Sequence, residues 1–487
     1  MFKKAIQGAL IGIAMLGMVG TAGADVININ LYGASAQHLF WNDTADNFLS
    51  SKGCTNVVQD SYDSKQGISK GTLGADTIYI RYASKASYDG IMAVKGSGGD
   101  PDGCGSPFMR KMVDENSCTD WVLGGTACSA LKCVEITLGA SDVAGSSFTQ
   151  ESHGALKGPN GGAQTDRVFT GIDATGLEDY QPVVVPFGFF ANNTVSKTRC
   201  LGPDPLEPDM NAHKAVSTWG YQCYDPSETG HSEDCIGYYK CIAGKCSGGI
   251  NGPSHTGGAL DCSAAIDCPD VALGDTHCER IPLDNISRLQ AVMIYDGQAW
   301  YWKDFGDWYA DYPIVACLRH AGSGTHATLD WAVMRSSAKD WGWPLVTNQS
   351  AADPTVWFND GSSDEMACVN QLEGAIGYAD ADQLEGTSNY PNVHALKYQG
   401  VEPRRTKVRN GEYDFYSNQW LYGNPDRTAY SNIKTSWIEP LAAYASDPDH
   451  IPPTKAKFWA TKGEMVYNKG NDRAYPGYVG ASNPQLP

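Results

Sequence analysis

Arg319 precedes the run His320-Ala321-Gly322-Ser323-Gly324-Thr325, and these residue types at this spacing suit capture of an oxyanion. The arginine offers a planar fork of donors to two oxygens. Ser323 and Thr325 add hydroxyls, and Gly322 and Gly324 let the backbone come close. The elements that must position them follow from the flanking pattern. Pro313 to Leu318 reads as an apolar strand, and beyond Thr325 the spacing of Leu329, Ala332 and Val333 is helical. Strand, glycine-rich turn and helix start aim backbone N–H groups and the positive end of the helix dipole at an anion. Taken alone, this also describes a helix cap beside a structural arginine.

Three other turns repeat the theme. Val26 to Leu31 reads as a strand that enters Tyr32-Gly33-Ala34-Ser35, with Ser35 at the N-cap position of a helix reaching Leu49. Thr77 to Tyr82 is a second strand, and Ser87 stands at the turn before the helix that begins near Gly90-Ile91. Cys133 to Leu138 reads as a strand that closes on Gly139-Ala140-Ser141-Asp142 and adds a carboxylate. Asp142 by itself is a cap or turn aspartate, the commoner fate of such residues.

The chain has 487 residues, enough for two or three domains. Lys3 and Lys4, the apolar stretch Ala9 to Val19 and the small residues Ala22-Gly23-Ala24 have the form of a secretory signal peptide, 1–24. No later stretch is apolar enough to span a membrane. The 15 cysteines suit an oxidising compartment, and the odd count leaves at least one free or paired between chains. No spacing supports haem attachment. Zinc is the weaker alternative to disulfides, and the acidic residues lack an EF-hand arrangement for calcium. A net charge of −19 argues against nucleic acid and anionic membranes as partners. A buried anion, held by its immediate donors, is not excluded by screened surface charge.

The organisation expected is 25–190 as a first lobe, with a cysteine-bearing insertion at about 96–131. A second lobe covers 191–385, with an insertion rich in cysteine, glycine and proline at about 199–280. The segment 386–487 returns to the first lobe and forms the tail. The apolar strand Gln181 to Asn193 suits a crossing between lobes, and Cys235, Cys241 and Cys246 suggest a small disulfide-stapled module.

In this order the landmarks resemble the periplasmic phosphate-binding proteins that feed ABC phosphate importers. The likeness rests on Leu31-Tyr32-Gly33-Ala34-Ser35, Ser87, Gly139-Ala140-Ser141-Asp142, and Arg319 followed by Ser323-Gly324-Thr325. Asn285-Ile286-Ser287, Gly374 to Tyr378 and Asn410-Gly411-Glu412-Tyr413 match landmarks between the ligand turns. It implies an α/β, two-lobed type II clamshell with a hinge, plus disulfide-stapled cysteine-rich insertions. It further implies phosphate bound by Ser35, Ser87, Ser141, Asp142, Arg319, Ser323, Gly324 and Thr325. No catalytic residue, metal or cofactor is implied. The partners would be inorganic phosphate and the membrane permease of an ABC importer, and the protein a periplasmic monomer.

Asp142 is the selective element in this scheme. An ionised carboxylate accepts the proton that phosphate carries and faces sulfate with an unpaired lone pair. The family usually has an acidic residue two positions after the arginine, and here that position is Ala321. Arg319 is therefore expected to find another partner or to pair more fully with the ligand, and His320 to pack or face solvent. The alternatives are a secreted phosphatase-like enzyme, a binder of another oxyanion, or a surface-associated protein with a modified role. An enzyme is disfavoured because Ser323 lacks the Gly-x-Ser-x-Gly elbow and no third group orients His320 as its base.

Overall fold

The computed structural model describes residues 24–119, 121, 125–149, 151–152, 167–201, 239–242, 245–248, 277–306, 308–335, 355–385 and 388–480. The expected signal peptide lies outside the described residues, apart from Ala24. So does most of the 199–280 insertion, Cys235 included. Of that module only the backbone of a short hairpin is described, Tyr239–Ile242 against Lys245–Gly248.

Two separate mixed sheets carry the chain, so the expected two-lobed α/β architecture is present. The first sheet has seven strands in the order Glu178–Tyr180, Trp420–Gly423, Leu138–Ser141, Val26–Ala34, Asp76–Lys85, Gln66–Leu73, Thr55–Asp63. Val26–Ala34 runs parallel to both Asp76–Lys85 and Leu138–Ser141. The second sheet has eight strands, with Val183–Asn192 at its centre beside Ala375–Asp380 and Val393–Tyr398. Val315–Arg319 runs parallel to Val356–Asn359 and Ala375–Asp380. Each sheet thus ends three parallel strands side by side, the place where α/β folds collect ligands.

Val183–Asn192 is buried at every position, which explains its unbroken apolar run. It lies wholly in the second sheet, and the crossing from the first is made just before it, at 181–182. A second crossing falls at Gln419, between Tyr416–Asn418 in the second sheet and Trp420–Gly423 in the first. A third follows the Glu439–Ala445 helix, before Ala460–Thr461 pairs with Val183–Asn192. One apolar core runs through both sheets, with Phe40 stacked on Trp459 at 5.6 Å.

Two local expectations change. The stretch Cys133 to Leu138 is not one strand. Leu131–Glu135 pairs with Met109–Val113 outside the main sheet, and Leu138–Ser141 joins the main sheet. Ser35 is not an N-cap. It opens a 3-10 turn, Ser35–Gln37, whose cap residue is Ala34. Ser287, by contrast, does cap its helix, in a reciprocal box with Gln290.

Cys104 bonds Cys133, Cys118 bonds Cys128, and Cys317 bonds Cys368. Among the described residues Cys54 is the free thiol. The grouping of Asp60 with Cys118 and Cys128 has both sulfurs committed to their disulfide. Cys317 ties the Val315–Arg319 strand to the Ser362–Gln371 helix across a separation of 51 residues. Chain-entropy arguments give such a loop about 4 kcal/mol. Replacing both cysteines by serine should lower unfolding stability by roughly 2–4 kcal/mol, read from urea unfolding. A loss below 0.5 kcal/mol would show the link to be structurally idle.

Candidate functional site

The first lobe brings Ser35, Ser87 and Asp142 to one edge because three parallel strands end there in register. Ala34 pairs with Lys85, and Gly33 pairs with Ala140. The helix Ser87–Lys95 can lie close on this edge because Gly90 has no side chain. A Cβ there would come within 2.4 Å of the Ala140 carbonyl oxygen. That approach lets the Ser87 hydroxyl reach Asp142, donating to Oδ2 at 3.2 Å and accepting from its backbone N–H at 3.1 Å. Ser141 is occupied locally. Its hydroxyl donates to the Val143 carbonyl at 2.6 Å, and its own carbonyl accepts from Gln37 at 3.0 Å. Ser141 therefore braces the turn that presents Asp142.

The second lobe presents Arg319 at the end of its strand with none of its surface exposed. Nη1 donates to Ser362 Oγ at 2.9 Å, and Nη2 donates to the Asp360 carbonyl at 3.0 Å. Nη2 also reaches across to Ser35 Oγ at 3.4 Å. These are the partners that replace the acid absent at Ala321. Ser323 stands at the N-cap position of the short Gly324–Thr328 helix without a side-chain cap bond, and the helix continues as a wider turn over Leu329–Met334. Thr325 is fully buried. His320 is also buried, accepting the Gly322 N–H at 3.2 Å through Nδ1, with Nε2 3.8 Å from Asp360 and its ring 5.9 Å from Phe169.

The two lobes meet at Gly324. A Cβ on this residue would sit 2.4 Å from Ser87 Oγ and 2.5 Å from Asp142 Cβ. The Tyr88 N–H donates to the Gly322 carbonyl across the same seam. All four turns named from the sequence therefore converge. Around them several buried polar atoms lack a hydrogen bond among the described residues, Asp142 Oδ1, Arg319 Nε and Thr325 Oγ1 among them. Such atoms are costly in a folded protein unless something completes them.

Several contributors were not singled out from the sequence. Asp360 and Ser362 follow the strand Val356–Asn359, and Asp380 ends the strand Ala375–Asp380. The signal was present in Asn359-Asp360-Gly361-Ser362, again a strand running into small polar residues before a helix. Gln419 is fully buried, and its side-chain amide faces Asp142, whose ionised form it favours. Tyr378 accepts the Arg319 backbone N–H at 3.1 Å and lies 2.6 Å from His326 Nδ1.

Burial sets the electrostatics. It pushes Asp142 up to about 6, opposed by the Gln419 amide, the Arg319 charge and the Gln37 and Ser87 side chains. Asp380 rises to about 7, through burial and then the like charges of Asp382 and Asp142, with Lys455 and Arg319 opposing. Burial also raises Glu365 well above the usual range. It drives His326 down to about 3, helped by Arg319, so that imidazole is neutral. Asp360 goes the other way, because His320, Lys85, Arg319 and Lys65 outweigh its burial. The site can therefore hold a tetrahedral anion between a fixed guanidinium, hydroxyls and carboxyls near their ionisation point.

No family model matches the chain. Among solved structures it is similar to a candidate phosphate ABC transporter substrate-binding protein with bound phosphate from Clostridium perfringens. That match has a TM-score of 0.40 and 13% identity, covering 92% of this chain and 99% of the other. An ABC-type phosphate transport receptor from Vibrio cholerae gives a TM-score of 0.37 and 11% identity, covering 85% and 93%. A phosphate binding protein from Stenotrophomonas maltophilia gives 0.37 and 10%, covering 82% and 78%. At these scores the likeness assigns the chain no family.

Asp380 yields a test that needs no ligand. A folded-state value near 7 above the ordinary 3.8 means its contribution to stability is complete below pH 4 and lost as pH rises through 7. Asp380→Asn should thus be more stable than the parent at pH 8, by roughly 1–4 kcal/mol, with the gap closing by pH 4. His326 loses stability in the opposite direction, as pH falls below 6.5, but it is common to both proteins and cancels. Thermal unfolding of the pair from pH 4 to 8 measures this, and a pH-independent difference would contradict it.

Proposed function

We propose that the chain is an exported binding protein that captures inorganic phosphate between its two lobes and delivers it to an ABC importer in the membrane. Among the described residues no helix is long and apolar enough to cross a membrane. The observation that carries the reading is the convergence, at one interlobe seam, of a fully buried arginine whose Nε is unmet with Asp142 Oδ1 from one lobe and Thr325 Oγ1 from the other. Arg319 would supply the charge, Ser35, Ser87, Ser323 and Thr325 the neutral donors, and Gly324 the close backbone approach. Ser141 would hold the turn beneath Asp142. The seam would open and close about the chain crossings, as hinged binding proteins do. By these crossings the first lobe would comprise 25–182 and the return from Trp420 through the Glu439–Ala445 helix, and the second would run from Val183 to Asn418 and take back the chain at Ala460–Thr461.

The raised ionisation of Asp142 refines how it would discriminate. Above pH 6 it is ionised and accepts the proton of hydrogen phosphate, whereas sulfate brings none. As pH falls through about 6 the carboxyl gains a proton and becomes a donor, which either anion can use. Phosphate over sulfate preference should therefore be greatest at pH 8 and shrink below pH 6. In Asp142→Asn it should be small and flat, with a loss of roughly 10- to 100-fold in preference at pH 8. Calorimetric titration with both anions at pH 5.5 and 8 decides it. An unchanged preference in the variant would remove Asp142 from this role.

A further inference from the structure

The seam does not end at Arg319. A cavity of 480 Å³ opens beside it, walled by Ser64, Lys65 and Lys85 from the first lobe and by Ser363, Gln383 and Asn389 from the second. Ser35 and Ser362 border it as well, and both are hydrogen-bonded to Arg319. Asp360 joins the two spaces in the same way, its carbonyl bonded to Arg319 and the residue lining the cavity. The anion position and the cavity are therefore adjacent, sharing three residues.

The size of this space matters. At 30 Å³ per water it corresponds to roughly sixteen waters, and it falls in the range of sites for small organic ligands. A lone five-atom anion would use little of it. The chemistry of the walls narrows the class further. Lys65 and Lys85 offer donors, and no ion pair joins either to a carboxylate within 4 Å among the described residues. Asp360, Asp380, Asp382 and Glu385 line it with carboxyl groups. Asp382 is also engaged by Lys455, and Glu385 by Lys457. Ala36, Leu39 and Tyr390 add apolar wall, which the C–H faces of a hydroxylated ligand can cover, whereas a wholly apolar substituent would also strip water from the charged groups and leave them unpaired. A second strong anion would meet four carboxyl groups. Hydroxyl groups donate and accept, and so suit a wall that mixes both functions.

Resting on the phosphate reading above, we infer that the site takes a phosphate monoester of a short polyol, with the phosphoryl group on Arg319 and the hydroxylated substituent in the 480 Å³ cavity. Inorganic phosphate then fills only part of the site. The proton balance is compatible with this. A phosphate monoester has its second ionisation near 6, and Asp142 lies in the same range. One proton can then sit between them whichever partner brings it.

The test is calorimetric titration of the full exported chain with inorganic phosphate, glycerol 3-phosphate and glucose 6-phosphate at pH 7. The expected result is at least tenfold tighter binding of one ester than of inorganic phosphate. Ser363→Trp and Ser64→Trp fill the cavity from opposite walls, and each should abolish that advantage while leaving inorganic phosphate affinity within twofold. Two such variants guard against one failing to fold. Binding of inorganic phosphate with neither ester bound more tightly would overturn the ester inference and leave the phosphate reading standing. An ester advantage that survives both tryptophans would equally overturn it. Failure of all three ligands to bind would sink the phosphate reading and this inference together.

Discussion

A guanidinium held out of water governs this structure. Arg319 makes three hydrogen bonds with five donors and has no carboxylate among those partners. A charge in such a place is tolerated only if its surroundings are polar and its unmet donors are completed. The remainder of the seam can be understood as that completion. Ser35 comes from one sheet, Ser362 and the Asp360 carbonyl from the other, and carboxyl groups stand within electrostatic reach. Asp142 and Asp380 offset their own burial by titrating near neutrality, while Asp360 is held ionised, so the net charge of the seam is adjustable.

Much of this was legible in the chain because the physics is local. A strand that ends in small residues before a helix must leave backbone donors and short side chains at its tip. Ser35, Ser87, Asp142, Arg319 and Thr325 were found on that ground, and the sheets bring their turns together. Reading the segment boundaries was less secure. Cys133 to Leu138 looks like one strand by composition, yet Ile136 and Thr137 separate two strands with different neighbours. Nothing in a single run of residues distinguishes those cases.

What stayed hidden depends on pairing between distant strands. Asp360 and Asp380 matter only because Val356–Asn359 and Ala375–Asp380 flank the Arg319 strand in parallel. Periodicity does not reveal which strands will be neighbours. The same holds for the Cys317–Cys368 link, since both residues stand apart from the cysteine clusters. Gln419 was invisible for another reason. Its importance comes from lying on a crossing, and its residue type carries no such mark.

That crossing has a geometric consequence. The Gln419 N–H donates to the Val183 carbonyl, so the passage at 419 is bonded to the start of the strand that follows the passage at 181–182. Two strands fastened to each other in this way define a pivot line. Points on a pivot line are displaced least when the bodies on either side turn, whereas Gly324 and Asp142 lie on opposite bodies. If the bodies turned as proposed, the Gln419 amide would be displaced least while staying beside the Asp142 carboxyl.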